Sequence, residues 1–216
     1  MTQLVIVLLA LAAAPGGTRL PAPPAEVAPI ALYTQFQQEP PQAVTDALRD
    51  ELEFIMAPLG LRFEWRSLPN VRGDEIAVEL AVLTFKGRCD VTGLLPRTTN
   101  PGALGWTHVS DGNILPFSDI ECDRIRGFIQ KDLLAVHPEE REDAYGRAIA
   151  RVVAHELYHI FANTSQHGSF GVGKSAYTAQ ELLSDDFQFE AKESMALRNS
   201  KARELLDNAT RAPGIE

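Results

Sequence analysis

His155 and His159, in the run His155-Glu156-Leu157-Tyr158-His159, are the residue types and the spacing in this chain best suited to chemistry. On an α-helix, positions four apart share one face, a turn apart, so both imidazoles can reach one cation. Neutral imidazole suits zinc. Glu156 between them can stand beside the cation without ligating it, where it can take a proton from water. Val152, Val153, Leu157, Ile160 and Phe161 around the motif are the apolar residues that a buried helix requires. The chemistry this pattern predicts is hydrolysis assisted by one Zn2+ ion, with Glu156 as general base.

Two histidines do not complete such a site, because a catalytic zinc takes three protein ligands and keeps one position open. His167 lies in the loop that must turn back after the helix, next to Gly168, where the backbone can bend close to an ion. Glu181 is the second candidate, although Thr178 three residues before it reads as a capping box that explains the glutamate without metal. The expected ligand set is His155, His159 and His167, with Glu181 kept as the alternative third donor. Asp185 is either an acceptor for a ligand's second ring nitrogen or a solvated acid beside Asp186. A developing oxyanion also needs a donor. Tyr177, His108 and Tyr158 are candidates by type, and Tyr177, just after the glycine loop, is the expectation.

The elements that must position these residues are legible as patterns. Ile30 to Phe36 alternates as a first strand, and Pro40-Pro41 stops it. Gln42 to Met56 carries Val44, Leu48, Leu52, Ile55 and Met56 at helical spacing and ends towards Gly60. Leu61 to Trp65 and Glu75 to Phe85 read as strands. Asn100 to Gly112 reads as loop, short strand and turn, with Asp111-Gly112 closing a hairpin before Ile114-Leu115. Asp123 to Leu134 is helical, and after a break at His137-Pro138 the motif helix runs from Glu140 to Phe161. Asn163 is placed to end it in the left-handed conformation. A last helical region extends from Thr178 towards Asn208, with an interruption in the middle. The expected fold class is α+β: a small twisted mixed sheet packed with helices, the motif on a central helix.

The chain has 216 residues, 45% hydrophobic and 23% charged, with a formal net charge of -9. No basic cluster is present, which argues against nucleic acid and anionic membrane as partners. Leu4 to Ala14 is apolar but too short for a membrane span, and reads as the hydrophobic region of a secretory signal. The expected organisation is a signal peptide and the start of a leader over 1–20, a Pro/Ala-rich leader over 21–29, and a single catalytic domain over 30–212. No integral span remains after processing, and the expected location is secreted or cell envelope. Cys89 and Cys122 form either one disulfide or two separate buried thiols.

From Val152 to His167, and more loosely from Leu104 onward, the chain resembles the zincin class of metallopeptidases. That resemblance implies a sheet, an active-site helix carrying the H-E-x-x-H, and a substrate cleft beside an edge strand, here Leu104 to His108 with Trp106 at the cleft or covering the edge. In the metzincin branch a glycine follows the second histidine by three residues and a third ligand follows three later. Ala162 and Ser165 hold those places, so His167 would act through a turn two residues longer. In the thermolysin-like gluzincin branch the third ligand is a glutamate in an N-E-x-x-S-D segment. Gln180-Glu181-Leu182-Leu183-Ser184-Asp185 resembles it, which would make Glu181 the ligand and Asp185 the partner of His155. The sequence also looks like secreted zinc-peptidase-like proteins of bacteria. The function implied is a secreted zinc metalloendopeptidase acting on a peptide or protein substrate. The competing readings are a zinc-binding structural or interaction protein without turnover, and a hydrolase of a non-peptide amide.

Overall fold

A computed structural model describes residues 28–73, 75–99 and 102–211. The expected signal peptide and nearly all of the expected leader lie outside these residues. Five strands form one sheet: β1 (Ala28–Gln38), β2 (Glu64–Ser67), β3 (Ala77–Arg88), β4 (Gly105–Ser110) and β5 (Asn113–Glu121). Their spatial order is β2-β1-β3-β5-β4. The first four in that order run parallel, and β4 alone is antiparallel, paired to β5. β4 is therefore an edge strand, as expected for Leu104 to His108. Asp111 at φ 50° and Gly112 at φ 77° make its turn, the conformation that Asp-Gly hairpins favour.

The described residues form six α-helices: α1 (Gln42–Met56), α2 (Cys122–Leu133), α3 (Arg141–Phe161), α4 (Ala179–Leu183), α5 (Ala191–Arg198) and α6 (Lys201–Arg211). α1 follows its expected bounds. Its apolar stripe, Val44, Leu48, Leu52, Ile55 and Met56, is buried with Ile30, Leu32, Leu83 and Phe85 of the sheet. The motif helix α3 is buried on nearly every side from Ala144 to Phe161. Gly146 lets it cross α1 closely: a Cβ there would lie 2.5 Å from the Val44 carbonyl oxygen and 2.8 Å from Ala47 Cβ. Arg151, 1% exposed, ties three helices together. Its Nε donates to Glu51 on α1 at 2.7 Å, and one terminal nitrogen donates to the carbonyls of Glu181 and Leu182 on α4.

Two expectations shift. The strand placed at Leu61 to Trp65 begins at Glu64, because Leu61 is consumed by the core and Phe63 stacks on Phe161; pairing to β1 starts only at Ala31–Glu64. The last helical region is three helices rather than one with a single interruption. Ser184 turns extended after α4 and bonds the Glu181 and Asp186 carbonyls. Phe187 then anchors the connection against Arg151 and Tyr177. Cys89 and Cys122 are bridged, joining the chain after β3 to the start of α2. No helix among the described residues is long and apolar enough to cross a membrane.

Candidate metal centre and active site

α3 brings His155 and His159 to one face, as the spacing requires, and both are buried at 8% exposure. After Phe161 the helix ends on Asn163, whose φ of 46° is the left-handed turn expected of it. The chain doubles back, and the Gly168 N–H donates to the Gly173 carbonyl at 2.7 Å. This turn delivers His167, which is exposed, to the same point. Ligand atoms of His155, His159 and His167 all lie within 4.8 Å of one another.

The hydrogen bonds behind the rings define what these histidines can hold. His155 Nδ1 lies 2.8 Å from the Val172 carbonyl oxygen, and His159 Nδ1 lies 2.6 Å from that of Thr164. A carbonyl only accepts, so each Nδ1 carries the proton and each Nε2 presents a lone pair. The two Nε2 atoms are 3.0 Å apart. Two lone pairs facing each other at that distance need a positive charge between them. Burial, against the Val172 hydrogen bond, pushes His155 down to about 4, and burial likewise lowers His159, so both are neutral donors near neutral pH. Three imidazoles, two of them with backbone acceptors behind the ring, fit one Zn2+ ion with an open position.

Glu156 faces the cleft from the same helix turn. Its Oε2 accepts a hydrogen bond from Thr107 Oγ1 on β4 at 2.8 Å, and Thr107 also touches Ser118 on β5 at 2.9 Å. Burial raises Glu156 to about 7, against the lowering effect of Thr107. Gly105 on β4 makes room for the carboxylate, since a Cβ there would come within 3.1 Å of Glu156 Oε1 and 3.0 Å of Val152 Cγ1. Thr107 and Gly105 were not singled out as site residues from the sequence. Alternation along the edge strand puts both on one face, but no local pattern tells that this face meets α3.

A cleft of about 430 Å³ opens over the cluster, lined on one side by the histidines and Glu156 and on the other by β4. Trp106 lines it, and the Lys86 ammonium lies 4.7 Å from its ring centre, so this indole serves both cleft and edge.

The remaining expected residues fall as follows. Tyr177 reaches the site, but its hydroxyl is held by the Val172 carbonyl and by His155 Nδ1 at 2.8 Å. These contacts place the hydroxyl behind the His155 ring, where it can orient that ring. His108 Nε2 pairs with Asp119 at 3.0 Å, away from the cluster, and Tyr158 packs against His159 and Phe189. Glu181 forms the capping box with Thr178 and pairs with Lys174 at 2.5 Å. It does not join the three histidines, and the open choice of third donor resolves to His167. Asp185 is fully exposed near Arg147 and supports no histidine.

The motif helix, Glu156, three converging histidines and an antiparallel edge strand thus meet at one cleft, and the donor beside His155 and His159 is His167 rather than Glu181. No protein-family profile matches the chain. No curated protein matches it. Among solved structures, archaemetzincin from Methanopyrus kandleri is similar over 88% of this chain and 99% of that one, at 12% identity and a TM-score of 0.44.

Proposed function

We propose that the protein is a zinc-dependent endopeptidase acting outside the cytoplasm. The observation that carries this reading is Glu156, held by Thr107 beside three converging imidazoles in an open cleft. His155, His159 and His167 would hold the metal. Bound zinc supplies a Lewis acid that acidifies water and polarises a carbonyl oxygen. Glu156 takes the proton from the attacking water and returns it to the leaving amine. Thr107 fixes the carboxylate, while Tyr177 and the Val172 carbonyl fix the ring of His155. The free edge of β4 offers main-chain groups to an extended peptide, which would bind as an additional strand. That open edge favours a peptide over a small amide in a closed pocket. The Cys89–Cys122 bridge supports an oxidising location and agrees with the apolar N-terminal run.

A purely structural zinc site would close its shell with a fourth protein ligand, and Glu181 was the residue available for it. Its capture by Thr178 and Lys174 removes that support. The test is cleavage of a mixed peptide library by the zinc-loaded protein, with and without a chelator. Cleavage that the chelator abolishes supports the reading. A zinc-loaded protein that cuts no peptide in the library contradicts it.

A further inference from the structure

The turn that presents His167 rests on a buried carboxylate that nothing in the zinc site uses. Glu193 on α5 is 1% exposed, and its Oε2 has no hydrogen-bond partner. The carboxylate is packed against two glycines of the turn. A Cβ on Gly168 would lie 2.3 Å from Glu193 Oε1, and a Cβ on Gly173 would lie 2.9 Å from Glu193 Cγ. Glu190, one turn earlier, converges on the same place: its Oε2 lies 3.2 Å from that Gly168 position and accepts the Ser169 N–H at 3.3 Å. A Cβ at Gly168 would thus meet a carboxylate oxygen of Glu193, and one at Gly173 would meet the same side chain's Cγ.

A buried carboxylate oxygen without a partner is costly, and proteins retain one where a counter-charge satisfies it. Here a second carboxylate stands beside it, which raises the cost further.

We propose that Glu190 and Glu193 form a second cation site beneath the His167 turn, taking a hard, oxygen-seeking divalent ion of the calcium type. The donors are carboxylate oxygens, with no imidazole or thiolate among them, so a soft or borderline metal has no advantage. Magnesium dehydrates reluctantly and keeps several waters, whereas Glu193 is closed off from solvent. Calcium sheds its waters more readily, tolerates irregular geometry and accepts carboxylate and main-chain oxygens as ligands. An ion there would link α5 to Gly168 and Gly173, and so brace the backbone on both sides of the turn carrying the third histidine.

The test is calorimetric titration of the full zinc-loaded chain with Ca2+, repeated with Glu193→Gln, Glu190→Gln and, as a control, Glu156→Gln. The site predicts one Ca2+ per chain, a dissociation constant raised at least tenfold by Glu193→Gln, and no change with Glu156→Gln. Mg2+ in tenfold excess should leave Ca2+ binding intact. Should Glu193→Gln fail to fold, judged by circular dichroism, Glu190→Gln decides in its place and must weaken binding. No saturable Ca2+ binding overturns the site, as does unchanged affinity in the deciding variant.

Discussion

Thr107 on β4 donates its hydroxyl to Glu156 on α3 across 2.8 Å, and this one bond couples the edge strand to the general-base position. The strand that would bind a peptide also aims the carboxylate that would act on it. Misplacing a reacting group by about 1 Å can cost on the order of 10²-fold in rate. Thr107→Val keeps the shape and removes the donor. We expect kcat to fall roughly tenfold on that scale, with zinc content unchanged. Steady-state kinetics beside metal analysis checks this. Loss of zinc in the same variant would show that Thr107 supports the metal rather than the base.

Gly146 gives a prediction with an unusual sign. In an exposed helix, Gly→Ala stabilises by about 1 kcal/mol. At Gly146 the added methyl would meet the Val44 carbonyl oxygen at 2.5 Å, and backbone cannot swing aside as a side chain can. Gly146→Ala is therefore expected to destabilise by about 1–3 kcal/mol, the range for overpacked cores. Urea denaturation of both proteins measures it, and a stabilised variant would mean that α1 and α3 do not cross as described.

Asp90 sets an acid limit. Burial pushes its carboxyl up. The side-chain and main-chain hydrogen bonds of Thr92 and the charges of Arg88 and Arg126 more than offset this, leaving the pKa below its ordinary 3.8. A group depressed in the folded state contributes stability above its unfolded pKa and loses it as pH falls through the folded value. Asp90→Asn should cost on the order of 1 kcal/mol at pH 7, as for a charge-assisted hydrogen bond. The gap from wild type should begin to close as pH drops below the ordinary value of 3.8. Thermal melts of both proteins across that range test it, and a gap independent of pH would contradict the role of the ionised form.

What could be read from the sequence follows the range of the interactions concerned. The α3 motif, α1 and the Asp111-Gly112 hairpin rest on local periodicity or turn chemistry, and each lies where expected. His167 could be named but not separated from Glu181, because its placement depends on how the chain turns after Asn163. The capping box of Thr178 and Glu181 was legible, and the fold uses it. Thr107 acts on a residue 49 positions away, through a sheet register that no local pattern displays. Tyr177 was noticed by type, but the contacts of its hydroxyl were not legible. Only the three-dimensional position of the Val172 carbonyl shows its hydroxyl to be behind His155. The splitting of the region after Thr178 escaped for a similar reason, since Phe187 is held there by Arg151 of another helix.

The most direct test of the account is zinc per chain measured together with peptide cleavage in wild type, Glu156→Gln, His167→Ala and Glu181→Gln. Wild type is expected to hold one zinc and show chelator-sensitive cleavage, Glu156→Gln to hold one zinc without cleavage, His167→Ala to bind zinc more weakly, and Glu181→Gln to retain both properties. Full cleavage by Glu156→Gln, or zinc lost with Glu181→Gln but kept with His167→Ala, would contradict it.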